Sequence, residues 1–353
     1  MSRASTHAPS PAANPVLAET TRSGRVESWH RGALAVWHGG ELAIAVGDVA
    51  RPVFARSATK PFQALPLLER GLHQQLGLSA GEIAVLCASH DGAPVHTAAV
   101  ASLLRRGGLT EDQLGCGPHA PFDTATRREL AQRGERPGRR HNNCSGKHAG
   151  FLLLAQACGD DLLRYLDPGC RSQREVAAAV AAMAGLAEPL PVGVDGCGAP
   201  TFVLPLAALA RAFANLANPV GLADVRANAC RTILAAAAAE PVLVAGAERF
   251  CTALLRCWPG AAFAKNGAEG VYALGLAPDP ARREFPQGLG LAVKIDDGAE
   301  RAYWPVVVDA LQRLLAFGSA GVPAALQPFA SVPLHNTQKL RIGEVRSVLP
   351  WPR

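Results

Sequence analysis

Apolar and polar residues alternate near both ends of the chain, and between the ends apolar residues recur at helical spacing. The stretch 32–48, "GALAVWHGGELAIAVGD", has two alternating runs around "HGGE" and predicts a β-hairpin. Residues 57–72 predict a helix that begins near Ser57, with Pro61 tolerated in its first turn. From 79 to 185 the spacing is mainly helical, interrupted by Gly/Pro turns.

The remainder of the chain mixes both patterns. Residues 189–200, "PLPVGVDGCGAP", predict a short buried run that ends in a glycine-rich loop, and 201–217 predict a helix. Residues 261–276 and 288–315 alternate strand-like and helical patterns. Strands at both ends with helices between them predict an α+β fold: an antiparallel sheet assembled from both ends of the chain and flanked by helices, with a mainly helical insert.

These patterns also predict how the chain is divided. Residues 1–15, rich in Pro, Ser and Ala, are expected to form a disordered tail. A single domain is expected over 16–353. Its sheet part would comprise 16–60 and 186–353, and its mainly helical part 61–185.

Composition narrows the classes of partner. Hydrophobic residues make up 49% of the chain and aromatic residues 5%, which predicts a core of Ala, Leu and Val. The net charge is only +6, without an aromatic-interleaved basic stripe or an apolar run of membrane length, so neither nucleic acid nor a membrane is expected as a partner. The first residues lack the apolar region of a secretory signal, and the nine cysteines form no framework. Reduced thiols and a cytoplasmic location are therefore expected.

Lysine is rare among the basic residues. Of 35 Lys and Arg residues only five are lysine, namely Lys60, Lys147, Lys265, Lys294 and Lys339. Lysine can lose its proton when it is buried or beside another cation, whereas arginine cannot. A lysine kept in such a chain is a weak indication of a role that needs a removable proton, although Lys294 and Lys339 are equally well explained as ordinary surface residues.

Three short motifs follow the order found in one class of serine hydrolases. Ser57 and Lys60 have the S-x-x-K spacing, which places hydroxyl and amine on one side of a helix. "CASHDG" follows with Ser89, and "KNG" with Lys265 comes last, where the K-T-G element belongs. A buried lysine can take the proton of a neighbouring serine and so activate it as a nucleophile. The alternative is a helix-capping serine and a solvated lysine.

A further constellation could hold a metal. Cys144 in "HNNCSGKHAG" and Cys197 in "VDGCGAP" both lie in glycine-containing turns and could share a zinc ion with a third ligand. His148 and His141 are the obvious third ligands, because Lys147 can bind only as a neutral amine. The alternative is that both cysteines are ordinary buried thiols.

Taken together, six sequence blocks resemble the signature blocks of the bacterial type II, Rhizobium-type inducible L-asparaginase family. They run in family order over nearly the whole chain: "RSATKPFQALPL" (56–67), "CASHDG" (87–92), "HNNCSGKHAGFLL" (141–153), "VDGCGAP" (194–200), "KNGAEGVYALG" (265–275) and "GLGLAVKIDDGAERA" (288–302). The resemblance implies a fold like that of serine β-lactamases, penicillin-binding proteins and glutaminases, and a catalytic role for the single domain.

The same resemblance implies an activity and a set of site residues. The activity is hydrolysis of L-asparagine to L-aspartate and ammonia through a serine acyl-enzyme. Ser57 would be the nucleophile activated by Lys60, and Ser89 and Lys265 would form a second Ser–Lys pair. A zinc ion would be held by Cys144, Lys147 and Cys197, with a structural or substrate-positioning role and no activation of water.

Substrate binding and assembly are expected on the same grounds. Asp195 is a candidate for the substrate α-ammonium, Arg56 for its α-carboxylate, and His148 for a supporting position near the metal and the substrate. L-asparagine would be the small-molecule partner, and a homodimer is expected. Two rival functions share these motifs, namely another serine amidohydrolase such as a glutaminase, and a non-catalytic zinc-bound amino-acid-binding protein.

Overall fold

The main sheet contains eight strands in the part of the chain that the structure describes. The structure is a computed structural model, and it describes residues 13–280, 285–314, 316–318 and 321–352. Strands β1, β2 and β3 span Val16–Arg22, Arg25–His38 and Glu41–Val46; β7, β8 and β9 span Ala262–Asn266, Val271–Leu276 and Leu289–Ile295; β10 and β11 span Ser331–His335 and Arg341–Ser347. Their order is β10-β11-β1-β2-β9-β8-β7, with β3 paired to β2, and every pairing is antiparallel.

A smaller antiparallel sheet and the helices complete the described fold. In this sheet β4 (Pro52–Phe54), β6 (Pro200–Pro205) and β5 (Val192–Val194) lie in the order β4-β6-β5. The helices are α1 Lys60–Glu69, α2 Leu72–Gln75, α3 Ala80–Leu86, α4 Pro94–Arg106, α5 Thr124–Gln132, α6 Ser145–Cys158, α7 Arg171–Ala184, α8 Leu206–Ala217, α9 Asp224–Ala239, α10 Pro241–Val244, α11 Phe250–Cys257, α12 Glu300–Arg313 and α13 Gln327–Ala330.

The main sheet separates two hydrophobic cores. Along β2, Ala33 and Ala35 belong to the core that includes α8, whereas Leu34 and Val36 belong to the core that includes α12. This alternation follows from the two-residue period of a strand. Because helices cover both faces, β2 is apolar on both sides over Ala33–Val36, where the sequence analysis described an alternating run.

The predicted fold class is confirmed in its main features. β1 lies between β11 and β2, so the sheet is assembled from both ends of the chain. The hairpin predicted over 32–48 is the β2–β3 pair, which turns at Gly39 and Gly40. Between residues 61 and 185 the structure contains helices and turns without a strand. Whether 16–353 forms one catalytic domain stays a prediction.

Three local predictions need correction. Residues 1–12 of the expected tail lie outside the described residues, but Asn14 is buried and donates from its side chain to Asp296. Residues 200–205 form β6, because β-branched and aromatic residues precede the helix-breaking Pro205, so only 206–217 are helical. The run around Val194 is solvent-exposed and not buried, since β5 lies at the edge of the small sheet.

Among the described residues, none of the helices combines the length and the apolar character needed to cross a membrane.

Candidate active site

The predicted nucleophile lies in a tight turn ahead of α1. Residues Arg56–Thr59 form one 3-10 turn, and α1 starts at Lys60, so Ser57 is not the helix cap that the sequence predicted. Arg56 adopts a left-handed conformation with φ +52°, which is unusual for a residue other than glycine. Such strain persists only where neighbouring contacts enforce it, and it is often found at functional sites.

A hydrogen-bonded chain joins two buried lysines through one serine. The Lys60 Nζ donates to Ser89 Oγ at 2.9 Å, and the Lys265 Nζ lies 2.7 Å from the same oxygen. Both amines are fully buried, and Ser89 is 5% exposed. Ser89 reaches this position because CASHDG follows α3, while Lys265 lies on β7. The helical part and the sheet therefore each contribute one side of the chain.

Burial makes the Lys265 ammonium more acidic than an exposed one. Desolvation, and next the positive charge of Lys60, lower the pKa of Lys265 to about 7. Its amine also donates to the backbone and side-chain oxygens of Asn266, each at 2.9 Å. Above this pKa the neutral Lys265 amine can accept a proton from the Ser89 hydroxyl.

The pairing of Lys60 differs from the prediction. Its amine donates to Ala88 O at 2.6 Å and to Asn143 O at 3.3 Å in addition to Ser89, and in the described chain Ser57 is not among its partners. A buried amine needs acceptors for its protons, and these carbonyls supply them. The expected Ser89–Lys265 pair is present, whereas the expected Ser57–Lys60 hydrogen bond is not.

A cavity of about 230 Å³ lies next to this hydrogen-bonded network: Asn143, whose carbonyl accepts from Lys60, lines it, whereas Lys60, Ser89 and Lys265 do not. The half-buried Ser57 lies in its wall together with Arg56, His119, Asn142, Asn143, Cys144, Asp195, Gly196, Cys197 and Ala268. The Arg56 Nε donates to Asp195 Oδ1 at 2.8 Å, so the two candidate substrate-binding residues are paired with each other. This ion pair also holds the strained Arg56 backbone in place.

The predicted metal ligands come together on one side of this cavity. Cys144 precedes α6, Lys147 lies in the first turn of α6, and Cys197 lies in the β5–β6 loop; all three are buried. The Lys147 Nζ donates to Cys197 Sγ at 3.2 Å, the Cys197 thiol donates to Asp195 Oδ2 at 3.8 Å, and the Cys144 and Cys197 thiols lie within hydrogen-bond reach of each other. The sequence prediction that these distant residues meet is thus supported by their geometry.

The electrostatics of this cluster favour one thiolate. The hydrogen bond from Cys197 lowers the pKa of the Cys144 thiol against the effect of burial, with help from the charges of Lys60 and Lys147. Burial lowers the pKa of Lys147, but the charges of Cys144, Cys197 and Asp195 outweigh it and raise that pKa. Without a metal, the cluster is therefore a thiolate–ammonium pair.

The donor set fits zinc. Two thiols and an amine are ligand types that zinc accepts, and tetrahedral Zn–S and Zn–N bonds separate their donor atoms by about 3.5 Å. The 3.2 Å between Lys147 and Cys197 is close to that separation. Among the described residues, no group of three or more His, Cys, Asp or Glu side chains is arranged to hold a metal. The predicted set contains only two such residues, both cysteines, because its third member is a lysine.

His148 does not reach the cavity. It is fully buried on α6, where its Nδ1 lies 2.7 Å from the Tyr165 hydroxyl and its ring contacts the rings of Tyr165 and Phe151. Burial lowers its pKa well below the ordinary value, so the ring is neutral. His148 is therefore placed to support the start of α6 and not to contact substrate. His141 instead accepts from the Gly138 N–H.

Sequence reasoning missed several residues of the cavity wall. His119, Asn142, Asn143 and Ala268 all line it. Asn142 donates to Gly117 O and accepts from the Cys144 N–H, so it shapes the loop that presents the thiol. The two asparagines stand directly before Cys144 in the quoted motif, and polar side chains beside a candidate ligand were an available signal. No comparable signal marked His119.

Comparisons with solved structures found remote likenesses. The chain is similar to Mglu in its native form at 14% identity and a TM-score of 0.40, covering 81% of this chain and 64% of that one, so it spans less than two thirds of Mglu. It is also similar to a probable glutaminase from Bacillus subtilis complexed with 6-diazo-5-oxo-L-norleucine, at 12% identity and a TM-score of 0.37, covering 80% and 84% of the two chains. A β-lactamase from Burkholderia ambifaria matches at 16% identity and a TM-score of 0.39, covering 84% and 96%. At such TM-scores no conclusion about this chain follows.

Comparison with family models is decisive. No curated protein matches the chain. The model of the family described as L-asparaginase II matches residues 18–347, which include every residue of the site described above. The chain therefore belongs to the L-asparaginase II family.

Proposed function

We propose that this protein hydrolyses L-asparagine to L-aspartate and ammonia through an acyl-enzyme on Ser57. One observation carries the proposal: the Ser89 hydroxyl lies within hydrogen-bond distance of the buried amines of Lys60 and Lys265, beside the cavity that Ser57 lines. This arrangement can move a proton between two amines without exposing it to water. Membership of the L-asparaginase II family supports the choice of a small amide as substrate.

The first step forms an ester. The Ser57 oxygen attacks the side-chain amide carbon of asparagine, and its proton passes to Lys60 as Lys60 gives one of its own protons through the Ser89 hydroxyl to the neutral amine of Lys265. This step requires a small movement, because in the substrate-free protein Lys60 donates to Ser89 and to two carbonyls. Catalytic hydrogen bonds often tighten only when substrate is bound.

The second step releases ammonia. The proton returns from Lys265 through the Ser89 hydroxyl to Lys60, and Lys60 gives a proton to the leaving amide nitrogen as the carbon–nitrogen bond breaks. Water then attacks the aspartyl ester, which restores the Ser57 hydroxyl and yields aspartate. Lys265 suits this exchange because a pKa of about 7 lets it both accept and give a proton near neutral pH.

Two backbone groups are available for the developing oxyanion. The N–H groups of Ser57 and Ala268 have no hydrogen-bond acceptor among the described residues, and both residues line the cavity. Donors of this kind stabilise the tetrahedral intermediate, and losing one typically slows a reaction by about 10²–10³-fold.

The charged groups of asparagine match the Arg56–Asp195 pair. Asp195 would bind the α-ammonium and Arg56 the α-carboxylate, so the substrate would exchange the existing pair for two new ones. Burial raises the pKa of Asp195, but the nearby Lys147 and Arg56 outweigh it and keep that pKa below its ordinary value. The carboxylate is therefore ionised whenever substrate is present at neutral pH.

We also propose that Cys144, Lys147 and Cys197 hold zinc beside this cavity. A bound zinc ion would supply positive charge and would fix the loop before α6 to the β5–β6 loop. The homodimer and the cytoplasmic location stay predictions.

The proposal is tested by ammonia release and by trapping the ester. Wild-type protein is expected to prefer asparagine over glutamine in kcat/KM, and rapid quenching followed by mass spectrometry should find an aspartyl group on Ser57. Ser57→Ala should lower kcat by about 10³-fold or more and abolish the ester. Ser89→Ala should also lower kcat, but Ser57 should still form the aspartyl ester. The exposed Ser23→Ala is the matched control. A preference for glutamine, or full turnover by Ser57→Ala, would contradict the proposal.

A further inference from the structure

A second cavity, of about 250 Å³, lies beyond the Lys265 network. One of its walls is Asn266, whose side-chain oxygen accepts from the Lys265 amine. Among the described residues, none that lines this cavity also lines the cavity of Ser57. The two spaces are therefore separate, and the proposed mechanism leaves the second one unused.

Five aromatic rings pack against one another in the wall of this second cavity. Phe250, Tyr272 and Tyr303 are at most 4% exposed, so Trp304 and Phe329 present most of the ring surface to the space. The ring centroids are 5.1 Å apart for Phe250–Tyr272, 4.9 Å for Tyr272–Tyr303, 6.3 Å for Tyr303–Trp304, 5.7 Å for Trp304–Phe329 and 4.7 Å for Phe329–Phe250. All five residues line the space. Aromatic residues make up only 5% of the chain, yet two of its three tyrosines are here. We call this set the aromatic ring cluster.

The rim of the cavity carries more negative than positive charge. Glu248 and Glu300 both line it and are solvent-exposed, and the Glu300 carboxylate accepts from the Tyr303 hydroxyl at 2.7 Å. Among the described lining residues Arg249 is the one cation, and it lies 3.8 Å from Glu300. Its guanidinium carbon lies 5.7 Å from the centroid of the Phe122 ring, and Phe122 does not line the cavity. Part of the Arg249 charge therefore interacts with a ring outside the cavity.

We infer that the aromatic ring cluster binds a small organic cation of the quaternary ammonium class. Ring π systems attract such a cation, and the attraction is stronger where the cation is desolvated. The rim carboxylates would add electrostatic attraction for the cation. The half-buried Trp304 and Phe329 lie at the entrance of the cavity. A cavity of 250 Å³ has the volume of roughly eight liquid water molecules, which suits a compact cation and excludes a polymer. This inference does not depend on the proposed reaction.

Choline and its uncharged counterpart separate this inference from simple apolar binding. 3,3-Dimethylbutan-1-ol has the shape of choline without the charge. Calorimetry and line broadening of the ligand methyl signals should show choline binding to the wild-type protein, with the alcohol at least about 10-fold weaker. Equal binding of the two compounds would show a plain apolar pocket and overturn the inference, as would no binding of choline.

Variants locate the binding. Trp304→Leu should weaken choline binding at least about 10-fold, whereas Trp29→Leu, which removes a tryptophan that is 65% exposed elsewhere, should not. Glu248→Gln removes a rim charge on the surface and should weaken choline binding by several-fold, and Glu27→Gln is its matched control. Should Trp304→Leu unfold, Glu248→Gln still provides the test. If Glu248→Gln binds choline as tightly as the wild-type protein does, and Trp304→Leu is folded and also binds it with full affinity, then choline binds at another place on the protein.

Discussion

Burial and neighbours decide what each lysine of this chain can do. Three of the five, Lys60, Lys147 and Lys265, are almost completely buried and all belong to the candidate site, while Lys339 is exposed. The retention of lysine in an arginine-biased chain was a weak signal of a role that needs a removable proton, and for these three buried lysines that role stays a prediction. Their charged neighbours then shift their pKa values in opposite directions: cationic Lys60 lowers the pKa of Lys265, and the thiols raise the pKa of Lys147.

At this scale we predict the titration of a single side chain. With lysines labelled at the ε-carbon, one of five signals should titrate near pH 7, because burial and the Lys60 charge disfavour the protonated form of Lys265. The amine is protonated below that pH and free to accept a proton above it, so kcat/KM should rise with pH through the same range.

A pair of variants assigns that signal. Lys265→Met should remove it, and Lys339→Met, at an exposed position, should leave it unchanged. If all five lysines titrated above pH 9, the electrostatic account of the site would be wrong.

Among the elements, the contact between α6 and α3 explains the glycine of the "CSGK" motif. A Cβ on Gly146 would stand 2.2 Å from the backbone oxygen of Val85, so the start of α6 lies directly against the end of α3. This contact sets the position of Cys144 and Lys147 on either side of the glycine. Gly290 of β9 has the same role where α8 packs on the main sheet. A Cβ on Gly290 would be 1.9 Å from Ala210 O, so only glycine allows this approach.

We therefore predict that Gly146→Ala destabilises the protein. Alanine is favoured over glycine within a helix by up to about 1 kcal/mol, but the clash is with backbone and cannot be relieved by a side-chain rotation. The free energy of unfolding should fall by roughly 1–3 kcal/mol, measured by chemical denaturation. Gly117→Ala is the matched control, since nothing lies within 4 Å of its Cβ position. Equal stability of the two variants would contradict this description of α6.

On the scale of the whole molecule, the thiol–amine cluster joins two distant parts of the chain. Lys147 and Cys197 are 50 positions apart, one on a helix of the insert and the other in the small-sheet loop. A metal bound here would link these parts and stabilise the native state, because the ligands are not assembled in the unfolded chain.

Removing a ligand should therefore remove both metal and stability. We predict about one zinc per wild-type chain by elemental analysis. Cys197→Ser should lose the zinc and should have a Tm lower by several degrees, and chelation should lower the Tm of the wild-type protein towards the same value. Cys158→Ser, at the other end of α6, should keep zinc. If Cys197→Ser kept its zinc, the metal would be bound at another site.

The sequence predicted the elements well where the apolar period was clear. The β2–β3 hairpin is present as expected, and β7, β8 and β9 lie in the stretches 261–276 and 288–315 where strand-like patterns were found. The errors lie at boundaries, such as β6 read as a helix, because short apolar runs do not distinguish strand from helix. The start of α1 at Lys60 was missed for a related reason: a 3-10 turn over Arg56–Thr59 has no distinct pattern.

The sequence alone determined the chemistry available to this protein: the order of its motifs, the rare lysines and the glycine-bounded cysteines indicated the family and the candidate site. Only the tertiary structure decided which groups meet. Ser89 and Lys265 are 176 positions apart, and the packing of insert on sheet makes Ser89 a partner of both lysines, whereas the small sheet brings Arg56 to Asp195. The physical reason is that acidity and partner choice depend on burial and on charges a few ångströms away, and neither is encoded by local spacing.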